Sequence, residues 1–293
     1  MSMKRAQSSS DIHAEIAMLS KRARPGVTDF QKLVLAFFRS HGRDFPWRKT
    51  RDPYEILVSE VMLQQTQTDR VVPKYEAFLR EFPTVGALSE ASVAEVVRMW
   101  MGLGYYRRAL NLHKAAQTIC AEHSGVFPTT VEGLRALPGV GAYTAAAVAA
   151  FAFGTPAPMI ETNIRTVYLS VFFPRRRVVG DKEILQVVQE TLYQKDARRW
   201  FYALMDLGVE IKRSAKGVNK RSRHYVKQSK FIGSQRQVRA AVLKSISEEP
   251  QKSGQILARL PYPSERIDKA LVDLEREGFV VQNKRGTFSV VGS

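Results

Sequence analysis

From Val27 to Gly154, apolar residues recur at steps of three and four, the period of amphipathic helices. Asp29 opens one such pattern, which carries Phe30, Leu33, Val34, Phe37 and Phe38 on one face and stops at Gly42. Asp52-Pro53 reads as the cap and first position of the next helix. Glycine, proline and Ser/Thr caps then divide the chain into helices at about 53–65, 68–82, 88–99, 105–123, 130–136 and 142–153, with further helices at about 162–174, 181–194 and 196–212. No run in this portion alternates with period two, so it is all-α.

The pattern lapses after Lys212. No acidic residue occurs from Ile211 to Ser247, while ten Lys and Arg fall between Lys212 and Arg239. Residues 213–234 therefore read as a flexible basic linker that can track a phosphate backbone. Periodicity resumes over 235–293, with helices at about 235–248, 253–260 and 263–277. Phe279-Val280-Val281 and Thr287 to Val291 then flank Asn283-Lys284-Arg285-Gly286, a hairpin signal. Three helices and a hairpin predict a winged-helix-like α+β domain. Arg266 and Lys269 on its third helix, with Lys284 and Arg285 at the wing tip, suit DNA. A protein–protein module is the alternative. Residues 1–27 read as a flexible polar tail with a basic cluster, Lys21 to Pro25, and a short helix at about 11–20.

Composition narrows the partner. The net charge of +17 on 293 residues calls for a polyanion. No apolar run reaches membrane-spanning length, so nucleic acid is favoured over a membrane surface. Cys120 is the single cysteine, which excludes a disulfide framework and any four-cysteine site. No apolar leader is visible at the N-terminus, so a cytoplasmic, nucleoid-associated protein is expected.

Three stretches carry candidate chemistry. Glu60 lies among Ile56, Leu57, Val61 and Met62. A carboxyl group in such company is expected to have a raised pKa and to serve as a general acid; the alternative is a Glu on the polar stripe. Gln64, Gln65 and Thr66 end that helix with groups able to bond base edges or fill the space a base vacates. Trp100 to Arg108 joins glycines, Tyr105, Tyr106 and Arg107, which suits stacking and phosphate contact; a packed interhelical corner is the equal alternative. Leu137-Pro-Gly-Val-Gly-Ala-Tyr-Thr opens a small-residue helix. Gly139 and Gly141 permit unusual backbone angles and close approach, and the amides from Val140 onward would face a phosphate; an ordinary helix–turn–helix packing corner is the alternative.

These stretches carry a resemblance. Phe45-Pro-Trp-Arg48, Ser59-Glu-Val-Met-Leu-Gln-Gln-Thr-Gln67, Trp100-Met-Gly-Leu-Gly-Tyr-Tyr106, Asn111-Leu-His-Lys-Ala-Ala116, the hairpin at 137–145 and Ala203-Leu-Met-Asp-Leu-Gly208 resemble the helix-hairpin-helix DNA glycosylases, above all the A/G-mismatch adenine glycosylases. The likeness spans about 28–210. It implies a two-lobed core over 28–212, with one lobe of about 49–155 and a second from 28–48 and 156–212. It also implies a general acid at Glu60, and a carboxylate at Glu161 that stabilises an oxocarbenium-like sugar beside Asn163 and Tyr143. Trp47 and Arg48 would rim the base pocket, and Gln64 would fill the gap left by the flipped base. Tyr143 stands where lyase relatives carry a Schiff-base Lys, so a monofunctional enzyme is expected.

The expected substrate is double-stranded DNA with a mismatch or oxidised base, most simply adenine opposite 8-oxoguanine or G, cleaved by a monomer. A T/G thymine or uracil glycosylase and a non-catalytic DNA-binding protein are the alternatives. Three departures stand out. Glu161 replaces the family's Asp, and Thr162 replaces a Gly. The four cysteines of the family's iron–sulfur cluster are missing, so no cofactor and no metal ligand is expected beyond a structural cation that the hairpin would allow. A winged-helix-like segment follows where the family has its 8-oxoguanine reader.

Overall fold

A computed structural model describes residues 9–21, 25–215, 217–226 and 230–292. Residues 1–8 and 22–24 of the expected tail, the latter from its basic cluster, lie outside the described residues, and the short helix expected at about 11–20 is α1. The helices are α1 (Ser9–Lys21), α2 (Val27–His41), α3 (Pro53–Leu63), α4 (Thr68–Glu81), α5 (Val85–Glu90), α6 (Val93–Trp100), α7 (Arg107–His123) and α8 (Val131–Ala136). They continue as α9 (Ala142–Phe153), α10 (Thr162–Val171), α11 (Asp181–Thr191), α12 (Ala197–Ser214), α13 (Gln235–Glu248), α14 (Ser253–Arg259) and α15 (Ser264–Arg276). Strands β1 (Gln251–Lys252), β2 (Val280–Gln282) and β3 (Thr287–Val290) form an antiparallel sheet in the order β1-β3-β2. The expected fold class, an all-α core with a small α+β end, is what the chain adopts.

Several boundaries differ from the periodic reading, two of them at the starts of helices. The single helix expected at 88–99 is two, because two caps compete for the chain. Thr84 Oγ1 accepts from the Ala87 amide at 3.1 Å and starts α5. Ser92 and Glu95 form a capping box that restarts the chain as α6. Helix α2 begins at Val27, two residues before Asp29, with Gly26 as its cap.

The chain divides into two compact units, residues 1–56, 129–135 and 140–226, and residues 57–128, 136–139 and 227–293. In the first, Phe30 of α2 meets Tyr168, Phe172 and Trp200 edge-on, with centroids 5.5, 4.9 and 5.6 Å away. Trp200, Phe201, Leu204 and Leu207 on α12 are buried against α2 and α10, and Met205 of the same expected face is only partly covered. The segment after α12, expected as a free linker, turns back as far as residue 226. Arg221 donates to the carbonyls of Leu169, Phe173 and Pro174 at 2.9, 2.7 and 3.1 Å. Leu169 lies in the last turn of α10, where carbonyls lack intrahelical donors, and Phe173 and Pro174 follow that turn. Val179 and Ser222 add a parallel bridge.

In the second unit, the winged-helix-like segment is not a separate bead. Val238, Val242, Leu243, Ile246, Ile267 and Phe279 share one apolar cluster with Ala94 and Val97 of α6 and Leu110 of α7. The third helix, α15, also departs from the DNA-reading expectation. Its Arg266 is bonded to Gln235 and to the Gly233 carbonyl, and Arg276 to Asp273. Its exposed positions include Glu265, Asp268, Lys269, Glu275 and Val272.

Candidate active site

Glu60 sits where its helix demands burial. Asp52 caps α3, its Oδ1 accepting from the Tyr54 amide at 2.7 Å, and Pro53 takes the first helical position. Counting from there, Leu57, Val58, Val61 and Met62 all turn inward, and Glu60 with them at 5% exposure. The polar-stripe alternative therefore fails. A carboxyl group so enclosed is less costly as the neutral acid than as the anion.

The helix ends two residues before the pattern suggested. Gln64, Gln65 and Thr66 form a turn, with Gln65 left-handed at φ 56° and exposed at its apex. Arg108 holds this turn. Its Nη1 donates to the carbonyls of Val61, Met62 and Gln64 at 2.7, 2.9 and 2.7 Å. Its Nη2 donates to Thr66 Oγ1 and to the carbonyls of Leu103 and Gly104. Burial pulls the Arg108 pKa down to about 10. The Arg107-Arg108 doublet thus divides its labour: Arg107 is exposed, and Arg108 cross-links two turns. Arg108 was not a sequence candidate; its signal was a cation adjacent to strained, glycine-rich backbone.

Of the paired tyrosines, Tyr105 takes a left-handed φ of 49° and receives a hydrogen bond from Arg236 of α13. Tyr106, expected to contact DNA, instead packs inward. Its hydroxyl lies 3.2 Å from Met101 Sδ, its ring meets Phe279, and burial raises its pKa. At the hairpin between α8 and α9, only Gly139 requires glycine. Its φ is +73°, and a Cβ there would fall 2.4 Å from Asn111 Cβ. Gly141 is extended at φ −81°, exposed, with open space where a Cβ would be. Val140 is buried. No side chain caps the start of α9, which leaves its first amides for an anion. Tyr143 lies on that first turn, partly covered.

In the first unit, Glu161 is the cap of α10. Its Oε1 accepts from the amides of Asn163 and Ile164 at 2.7 and 2.8 Å, and its Oε2 from Asn163 Nδ2 at 3.2 Å. Burial raises its pKa, against the lowering effect of those amides, Lys212 and Arg165. Asn163 Oδ1 is buried without a hydrogen-bond partner. Across from it, α12 approaches so closely at Gly208 that a Cβ would lie 2.2 Å from the Asn163 carbonyl oxygen.

The family model described as HhH-GPD superfamily base excision DNA repair protein matches residues 58–194. An adenine DNA glycosylase of Mycolicibacterium smegmatis is 35% identical over 279 residues, which cover 88% of this chain and 95% of that protein. The chain belongs to the HhH-GPD superfamily. It is a DNA N-glycosylase of base excision repair, and DNA is its partner. An adenine DNA glycosylase of Mycobacterium tuberculosis is 39% identical over 182 residues, 61% of this chain and 60% of that protein. The structure of a thermostable thymine-DNA glycosylase superposes with a TM-score of 0.59 at 27% identity, covering 66% of this chain and 94% of that one.

Against the HhH-GPD pattern, two expected base-pocket residues are tied into the first unit. Both Nη atoms of Arg48 are bonded to Asp206, at 2.8 and 2.9 Å, and Arg43 Nε reaches the same carboxylate at 2.7 Å. Arg48 is thus a strut between the 43–48 link and α12. Asp206 itself was missed, although a buried Asp in an apolar helix face requires such a partner. Trp47 is buried and stacked on Phe45 at 4.9 Å. Tyr202 is stacked on Phe151 at 4.2 Å, with Arg48 over its ring.

The iron–sulfur cluster implied by the resemblance does not fit these residues. Cys120, on α7, is the single cysteine, and basic residues with the Arg221 clip occupy the stretch after α12.

Proposed function

We propose that this glycosylase removes adenine mispaired with 8-oxoguanine or G, by hydrolysis and without a lyase step or a cluster. The observation that carries the reading is Glu60, a carboxyl group held at 5% exposure in an apolar helix face immediately before the Gln64–Thr66 turn. A neutral acid there can protonate the departing base, which makes it a better leaving group. Glu161, as the anion, stabilises the positive charge that develops on the sugar. The phenol of Tyr143 cannot form an imine, so the strand stays intact until alkali cuts the abasic site. The adenine DNA glycosylases of both mycobacterial species support this choice of base.

Single-turnover reaction with duplexes carrying A·8-oxoguanine, A·G or T·G, followed by hot alkali, tests it. A break at A is expected. A break only at T would favour the thymine reading, which the thymine-DNA glycosylase fold match supports.

A further inference from the structure

We propose that Lys212 is a positioning residue for Glu161, the counter-charge that keeps a carboxylate one methylene longer than the family's Asp ionised and fixed at the mouth of α10. The inference rests on the catalytic reading of Glu161 but reads a property of the chain that exists without any substrate.

The geometry begins at Gly208. There α12 meets the first turn of α10 with no room for a side chain, a Cβ falling 2.2 Å from the Asn163 carbonyl oxygen. Lys212 is four residues further along α12, hence on the same face and one turn on. It is half-buried beside that junction. Its ammonium and the Glu161 carboxylate act on each other. Glu161 raises the Lys212 pKa against the larger lowering by burial, and Lys212 lowers that of Glu161 against the larger raising by burial. The other charges are accounted for. Arg165, on α10 itself, also acts on Glu161, but its guanidinium is bonded to Asp181 at 2.8 and 3.0 Å, and Asp181 is flanked by His224. Arg43 acts on Lys212 and is held by Asp206.

The two amides that Glu161 accepts from are built-in reporters. Protonating the carboxyl group weakens both hydrogen bonds, so the nitrogen and proton shifts of Asn163 and Ile164 follow Glu161 as pH changes. The experiment is an amide-resolved NMR titration of the full chain. Lys212→Met should move the Asn163 and Ile164 midpoint upward, and Lys212→Arg should return it towards wild type. The acid limb of the single-turnover rate should move the same way. A midpoint unmoved in a Lys212→Met protein with a wild-type melting temperature would overturn the proposal. If Lys212→Met does not fold, Glu161→Gln serves: the Lys212 ammonium should then titrate at lower pH than in wild type, and an unmoved value would overturn the proposal. Loss of all base release by the wild type would sink the glycosylase reading and leave the amide titration standing.

Discussion

Glu161 is the residue on which the chemistry turns. It exceeds Asp by one carbon–carbon bond, roughly 1.5 Å. That length lets one oxygen cap two amides while the other reaches Asn163 Nδ2. Glu161→Asp should therefore lower the single-turnover rate, by about a hundredfold if the anion is displaced by its full reach. A rate increase would show that Glu is the poorer residue here. The pH dependence has a definite sign. A carboxyl whose folded pKa is raised stabilises the fold below its unfolded value of 4.5, and that contribution is lost as pH rises through the folded value. At this scale the sequence was legible where a residue's neighbours are local. Glu60 could be read from flanking apolar residues of its own helix. Arg48 could not, because its partner Asp206 lies 158 residues away. Nor could Tyr106, whose apolar cover includes Phe279.

Among the elements, α3 and the turns around it depend on one side chain. Arg108 satisfies three carbonyls at the end of α3 and two in the Leu103–Gly104 turn. Arg108→Met should leave several of these unpaired, at about 1–3 kcal/mol each where water cannot replace the bond. A fall in melting temperature of several degrees is expected, with Arg108→Lys intermediate because an ammonium cannot span the same fork. An unchanged melting temperature would show that water replaces the guanidinium. Helix positions were readable from period and caps, as α3, α9 and α13 illustrate. The Gln64–Thr66 turn was not, since Gln65 adopts its left-handed angle under restraint from Arg108, which the local sequence does not display.

For the whole molecule, the charge of +17 identified a polyanionic partner, and membership of the HhH-GPD superfamily makes that partner DNA. The organisation of the C-terminal part was less legible. Ala94, Val97 and Leu110 look like ordinary interior positions of two helices, yet they are covered by α13, α15 and the wing. Removing residues 227–293 should therefore lower the melting temperature and expose dye-binding apolar surface, beyond any loss of DNA affinity. A truncated protein that melts with the full chain would show that the segment is a dispensable attachment. The account as a whole stands on the buried acid of α3. Its most direct test is adenine release in a single turnover from an A·8-oxoguanine duplex, comparing wild type with Glu60→Gln. Wild type should release the base, and the variant should bind the duplex and release none; release by the variant at the wild-type rate would contradict the mechanism.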